Sequence, residues 1–373
     1  MADLRTDVED RGARWQISLA LGKDYVSGLG VVKKQMQIGS AVVKMGGIAG
    51  VWTDEKHRFQ GYASQSMWES IGVMERKNCD ISILFGIADF YHRFGYVPVF
   101  ASQSMRIATA QLLTLGGRLE SRAGRKTDFE SMRRLYRRYN AGRSGMDARP
   151  KGWYPRWYMP RWIEGAMRRE GKMVVVCDAR DRVCGYAIFD ARMERTLVTE
   201  VCGKDRKALA SVGHAIARRA KRTGANEVGF QLPPDDPFVS TCMPLGCSIS
   251  TSYPSNSGAM GRIICLDRLM KKMLPVFNAR WKNSDVNWAG RFTIETDIGC
   301  IGLEISGSGI ALVDGGRVAI SMSQSVLTQL VMGYRSAVAV ASDKGVKIPR
   351  RLLPVLDVLF PKGNPYMWWS DRF

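Results

Sequence analysis

The sequence predicts two consecutive α/β units, each on a mixed central sheet, followed by a smaller α+β domain. Three observations carry this. The order strand, helix, strand occurs once in each of the first two thirds of the chain, without clear sequence identity between the copies. Near residue 266 the pattern changes to short strands with Gly turns, flanked by helices. A length of 373 residues, with 45% apolar and 24% charged side chains, suits two or three domains of a soluble globular protein. The boundaries that follow are 1–112, 113–265 and 266–373.

Residues 15–53 read as strands: WQISLALG, VSGLGVVKK, QMQIG, SAVVKMG and GIAGVWT, divided by GKDY and by glycines. Residues 61–77 read as a helix, because Met67, Ile71 and Met74 fall at i, i+4 and i+7 on one apolar stripe. ISILFG (81–86) is a short buried strand, and DFYHRFGY begins a brief helix with Phe90 and Phe94 on one face. At 127–141 a second helix begins, with Thr127 as N-cap and Glu130 three residues on as its capping-box partner. MVVVCD and VCGYAIFDAR form a hairpin, KALASVGHAIARRAKRTG an amphipathic helix stopped at Gly224, and VGFQLP a strand. Beyond 266, LDRLMKKML is a short helix and WAGRFTIET, IGLEISGSGIALVDG and GRVAISMS are strands. SQSVLTQLVMGYRSA is a helix capped by Ser323 or Ser325, RLLPVLDVLFP follows, and the tail KGNPYMWWSDRF is polar and aromatic.

Composition narrows the function classes. No run approaches ~18 apolar residues, so no membrane span is expected. The start, MADLRTDVEDRGAR, is acidic and polar, unlike a secretory or transit peptide, and a cytoplasmic location is expected. Eight scattered cysteines without a CxxC pair, and histidines only at His57, His92 and His214, offer no metal-ligand cluster. Reduced, mostly buried thiols are expected, and a His-centred triad is unsupported. The net charge is +20, and residues 113–265 carry 28 basic against 15 acidic side chains. Such a surface suits nucleic acid, phosphorylated cofactors or acidic membranes, or is a solvated face. RRLYRRYNAGRSG and RPKGWYPRWYMPRW interleave Arg with aromatics as nucleic-acid surfaces do, or form a basic helix face and a packing loop.

One segment carries a chemical signature. In GVWTDEKHRFQGYAS a strand ends near Val51–Thr53, and Arg58-x-x-Gly61-x-Ala63 opens a helix. A helix start offers unpaired N–H groups and a positive dipole end, suited to a pyrophosphate. Gly61 lets an anion approach the backbone without a Cβ, Ala63 keeps the first turn small, and Arg58 adds charge. An ordinary turn into a helix is the other reading of so short a pattern.

The string strand, RxxGxA, helix, strand, FYxRFGY resembles the N-acetyltransferases of the GNAT superfamily. The order LFGIADFYHRFGYVP, YRRYNAGRSG, LTQLVMGYRSA and LFPKGNPYMWWSDRF is similar to the enhanced-intracellular-survival (Eis-like) subfamily, from about residue 15 to 373. The resemblance implies tandem GNAT-like domains with the cofactor motif in the first alone, and a C-terminal domain like sterol carrier proteins. It implies acetyl-CoA as cosubstrate, with Val51, Trp52 and Thr53 along the pantetheine, Arg58, Phe59, Gln60, Gly61, Tyr62 and Ala63 on the pyrophosphate, and Gly86 and Ile87 across the cleft. Tyr91 matches the tyrosine that protonates the departing thiolate. Phe373 matches the terminal residue whose carboxylate enters the site as general base. The implied acceptor is a small-molecule or peptide primary amine (aminoglycoside-, polyamine- or lysine-like), and the implied assembly is a homo-oligomer, commonly a hexamer.

The chemistry is consistent with these groups. An acceptor amine must be neutral, the thioester carbonyl polarised by an N–H, and the thiolate protonated. A phenol of pKa ~10 can donate to a thiolate of ~8.5, whereas a carboxylate of ~3.5 is a poor base until it is desolvated or works through water. Tyr91 can also be a core tyrosine, Phe373 a frayed end, and Trp368 and Trp369 mere packing. Two departures from the family pattern stand out. Only about 14 residues precede WQISLALG, where the family has a strand and two helices that roof the acceptor site, and Phe59 and Gln60 stand where Gly and Arg are common. A non-catalytic cofactor-binding or assembly protein, and a lipid- or nucleic-acid-binding module, are the alternatives.

Overall fold

The computed structural model describes residues 3–153, 173–189, 197–316 and 318–373. Most of RPKGWYPRWYMPRW, and the end of VCGYAIFDAR, lie outside them.

Residues β1 (Leu4–Asp10), β2 (Arg14–Leu21), β3 (Asp24–Ile38) and β4 (Ala41–Thr53) form an antiparallel meander. Helix α1 (Tyr62–Arg76) then crosses over to β5 (Ile81–Gly86), which lies parallel to β4. After a 3-10 turn at Tyr91–Phe94 comes β6 (Val97–Pro98). The chain continues through β7 (Ser102–Ala108), α2 (Thr109–Leu113), β8 (Glu120–Ala123), α3 (Phe129–Tyr139), β9 (Met173–Cys177) and β10 (Val183–Phe189). Next come β11 (Leu197–Gly203), α4 (Arg206–Arg222), β12 (Glu227–Phe230), α5 (Pro237–Cys242), β13 (Ser248–Ser252) and β14 (Gly258–Ile263). The last part holds α6 (Leu266–Lys282), β15 (Gly290–Thr296), β16 (Gly299–Ser306), β17 (Gly309–Val313), β18 (Val318–Ser321), α7 (Gln324–Met332), α8 (Ala337–Val340) and α9 (Leu353–Leu359).

Among the described residues the sheets order as β1-β2-β3-β4-β5-β14-β6, β13-β7-β12-β11-β10-β9-β8 and β17-β16-β15-β18. The fold is thus mixed α/β: two related sheets and a third, small one. β11 and β12 are parallel across α4, as β4 and β5 are across α1. The first two sheets trade strands at their seam. β7 leaves for the second sheet, and β14 returns to pair with β5 and β6.

The first sheet is covered on both faces, as its apolar runs require. Ile17, Leu29, Val31 and Leu84 face Met67 and Met74 of α1. Val43, Met45, Ile81 and Ile83 face Leu269, Met273 and Phe277 of α6. The second core joins Val175, Tyr186, Val201 and Phe230 to Leu209 and Ile216 of α4, and takes in Tyr366 and Trp368 from the tail.

Local differences from the sequence reading have physical causes. Of the glycines of 28–50, only Gly39 lies in a turn between strands (φ 60°); the others lie within β3 and β4. Gly46 and Gly47 lie inside β4, where a Cβ would collide with Met74 and Phe373, respectively. Thr127 does not cap α3. Asp128 instead takes the Arg125 amide at 2.7 Å, while Glu130 turns to Arg133 at 2.6 Å. Ser323, rather than Ser325, caps α7. The helix from 266 runs on through Pro275 to Lys282. At the N-terminus a strand is present, but β1 turns directly into β2 through Gly12 (φ 69°), with the Arg11 amide on the Arg14 carbonyl at 2.9 Å, leaving no helices between them. Among the described residues no helix is long and apolar enough to cross a membrane.

Candidate active site

The site begins where two parallel strands part. The ladder between β4 and β5 runs from Met45↔Ile81 to Ile48↔Leu84 and stops. On the other side of β4, Gly28 pairs with Trp52 but Gly30 with Ala49, so Gly50 and Val51 oppose one residue. This is a β-bulge, with Gly50 at φ 59°. The bulge bends Val51, Trp52 and Thr53 away from β5 and frees their edge from the ladder. The bent end is held from behind: Ser27 donates its hydroxyl to the Trp52 carbonyl at 2.8 Å, and Ser66 on α1 reaches the Ser27 hydroxyl at 3.1 Å. The Trp52 indole lies over Gly28, where a Cβ would stand 3.1 Å from its nitrogen.

The loop after β4 keeps the start of α1 open. Gly61 occupies the N-cap at φ 86° with no capping side chain, and a Cβ on it would meet nothing within 4 Å. The first-turn amides from Tyr62 and Ala63 onward are therefore without a capping side chain, an arrangement chemically suited to an anion. Arg58 stands beside it but is half committed, paired with exposed Glu55 at 3.2 Å. Gln60 folds back on the Lys56 carbonyl at 3.4 Å. Phe59 is fully exposed (104%) at φ 63°, a glycine-like conformation forced on an aromatic residue. In the second unit the corresponding helix start is closed, because the Asp205 carboxylate accepts the Ala208 amide at 2.7 Å.

Across the gap, Phe85 and Gly86 are consecutive residues of β5 and so present opposite faces. A Cβ on Gly86 would run into the Tyr91 ring, and would also stand 2.7 Å from Leu84, which belongs to the α1 side. Phe85 meets the Phe373 ring edge-on at 5.6 Å, on the α6 side. The same Phe373 ring fills the space beside Gly47 of β4. Tyr91 and Phe373 thus flank the parted strands from opposite faces. Tyr91 is half-buried, its ring also 5.0 Å from Phe90, and burial pushes its pKa above the ordinary 10. It therefore holds its proton throughout the neutral range. Ile87 lies outside the gap, exposed at its rim.

Sequence reasoning missed the groups that hold the terminus. Arg149, Glu200 and Asp371 are buried together in the second unit, and Asp371 is two residues from the chain end. Nothing in the local sequence marks them, since each is a single charge far from the others. Trp368 is core, hydrogen-bonded to Asn140 at 3.1 Å, while Trp369 is exposed. Among the described residues no cluster of His, Cys, Asp and Glu suits a metal ion.

Residues 12–99 match the family model for the acetyltransferase (GNAT) domain. The whole chain resembles a protein from Enterococcus faecalis described as a probable N-acyltransferase, with a TM-score of 0.76, 16% identity, and 97% of this chain and 90% of that chain covered. It resembles a GCN5-related N-acetyltransferase from Anabaena variabilis (TM-score 0.75, 18% identity, 96% and 89% covered). It also resembles Eis1 from Mycobacterium abscessus (TM-score 0.66, 15% identity, 98% and 91% covered). At these identities the likeness is one of fold. No curated protein matches the sequence.

Proposed function

Starting from an acetyltransferase (GNAT) domain over residues 12–99, we propose that the chain is an acetyl-CoA-dependent N-acetyltransferase acting by direct transfer on a primary amine. The observation that carries this is that Tyr91 and Phe373 flank the β4–β5 gap from opposite faces, next to an uncapped helix start.

Acetyl-CoA supplies the activated acyl group as a thioester. The amides opening α1 at Gly61–Ala63 and the Arg58 side chain hold its pyrophosphate, Phe59, Gln60 and Tyr62 surround it, and the bent edge at Val51, Trp52 and Thr53 takes the pantetheine arm. Gly86 and Ile87 bound the far side. A backbone amide of that bent edge polarises the thioester carbonyl. The Phe373 carboxylate takes a proton from the acceptor ammonium, directly or through a water, freeing the nitrogen lone pair. A C–N bond forms at the carbonyl carbon, the C–S bond breaks and the sulfur leaves with the electron pair, while the nitrogen gives its second proton to the Phe373 carboxylate, which has passed the first to solvent. Tyr91 gives that sulfur its proton and recovers one from solvent.

In this reading residues 266–373 are the sterol-carrier-like domain that delivers the tail, and the protein works as a cytoplasmic homo-oligomer, such as a hexamer. The acceptor is aminoglycoside-, polyamine- or lysine-like. The β1–β2 hairpin favours one second reading, a cofactor-binding protein that no longer transfers, because no helix stands between these two strands to roof an acceptor. The test is an acetyl-CoA assay over a panel of such amines, comparing the native end with a chain lacking Phe373. Loss of turnover on deletion supports the mechanism, equal rates remove the base assignment, and acetyl-CoA binding without any product selects the second reading.

A further inference from the structure

The tail that ends at Phe373 is held by the second unit. Tyr366 donates its amide to the Ser144 carbonyl at 3.0 Å and its hydroxyl to the Gln231 carbonyl at 2.8 Å. Trp368 is buried on Asn140. The Arg149 guanidinium, without solvent access, donates to both Asp371 oxygens at 2.9 Å and to the two Glu200 oxygens at 2.8 and 2.6 Å. It is stacked between Tyr136 at 3.5 Å and Trp153 at 3.8 Å. Ser370 bridges to Arg149 at 3.2 Å and to Glu200, Tyr136 donates to Asp371 at 2.9 Å, and Tyr186 donates to Glu200 at 2.5 Å.

The location matters as much as the contacts. β11 pairs with β12 at Leu197↔Gly229 and Val198↔Phe230, and Glu200 lies two residues past that ladder. Gln231 lies one residue past the end of β12. The tail therefore grips both strands at the end of their pairing, where the Gln231 amide still meets the Val198 carbonyl at 2.9 Å, the topological counterpart of the place where β4 and β5 part in the first unit. There the helix start is open at Gly61; here Asp205 closes it.

We infer that the second unit has become a receptor for the chain's own tail, with Arg149 as the positioning residue that sets where the Phe373 carboxylate stands. This rests on the reading of Phe373 as the proton acceptor. Apolar packing would secure a tail as firmly, since buried ion pairs seldom outdo apolar contacts in stability. What two planar forks on one guanidinium add is register. Two residues span at most ~7 Å, so a shift at Asp371 is passed to Phe373.

The test is Asp371→Asn in the full chain, which loosens one fork and leaves Arg149 paired with Glu200. Ser370→Ala is the second variant, should the first not fold. Release of Phe373 by a carboxypeptidase specific for aromatic ends is measured beside kcat and the KM for acetyl-CoA. The wild type is expected to resist release, and the folded variant to release Phe373 at least about tenfold faster. Its kcat is expected to fall by up to about a hundredfold with KM unchanged, and removing Phe373 from the variant to add no further loss. A folded variant whose Phe373 stays as protected as in the wild type overturns the inference, as does a wild type that loses Phe373 readily. If the wild type acetylates no amine, the enzymatic reading fails while the release assay still decides whether the tail is clasped.

Discussion

The Phe373 ring occupies the space that a side chain at Gly47 would need. A Cβ there would stand 2.5 Å from two of its ring carbons and 2.8 Å from a third. A strand glycine and the last residue of the chain are thus complementary, and that match seats the terminus against β4. Gly47→Ala is expected to push the ring out, lowering kcat by about tenfold or more while acetyl-CoA still binds. Steady-state kinetics beside a thermal melt checks this. Unchanged turnover in a folded variant would separate the ring's seat from the chemistry.

Tyr91→Phe removes only the hydroxyl from a ring packed on Gly86 and Phe90. The expected loss in kcat is about 10²–10⁴-fold, with thermal stabilisation by acetyl-CoA retained. Burial raises the pKa of this phenol. The alkaline fall of wild-type kcat assigned to Tyr91 therefore belongs above pH ~10, and a rate profile from pH 6 upward tests it. A fall assignable to Tyr91 below its ordinary pKa would contradict the burial.

The loop that opens α1 holds two residues in left-handed conformation, Phe59 and Gly61. Phe59→Gly is expected to raise stability by about 1 kcal/mol, since only the non-glycine residue bears strain there. Gly61→Ala is expected to lose about 1–2 kcal/mol, with a larger relative loss in acetyl-CoA affinity because its Cβ enters the open helix start. Denaturant melts with and without cofactor read both. Equal stability of all three proteins would show that the loop relaxes.

Asp236 is fully buried, accepts from Tyr139 and from the Phe238 amide at 2.8 Å, and has one oxygen without a partner. Burial pushes its pKa up to about 6 from 3.8. The folded state thus favours the protonated acid. Its stabilising contribution is complete below pH ~4 and is lost as pH rises through about 6, by about 3 kcal/mol in all. Asp236→Asn keeps an acceptor for Phe238 and is expected to be the more stable protein at pH 7–8, losing that advantage toward pH 4. Parallel stability curves for the two proteins would refute this.

Local features were legible in the residues. The stripe of Met67, Ile71 and Met74 is enough to place α1, ISILFG reads as a buried strand, and Arg58-x-x-Gly61-x-Ala63 ahead of them marks a helix start kept free of capping side chains. Capping was less legible, because Thr127, Asp128 and Glu130 all suit a helix start; Asp128 takes the N-cap position, but its carboxylate turns back to the Arg125 amide and the Arg122 guanidinium and leaves α3 without a side-chain cap. Several glycines of β3 and β4 looked like turns because their use is tertiary: they make room for particular neighbours, Trp52 over Gly28, Met74 over Gly46 and Phe373 over Gly47.

Periodicity and loop chemistry are short-range, acting over one turn of helix or one strand, so the longer helices, the mixed α/β class and the open loop could be written down from the amino acids alone, whereas β1, β7, β8, β13 and β14 could not. The trade of β7 and β14 between sheets, and the burial of Arg149 with Glu200 and Asp371, could not. Pairing partners far apart in sequence leave no local trace, and a lone buried charge reads like a surface one until the fold removes its water.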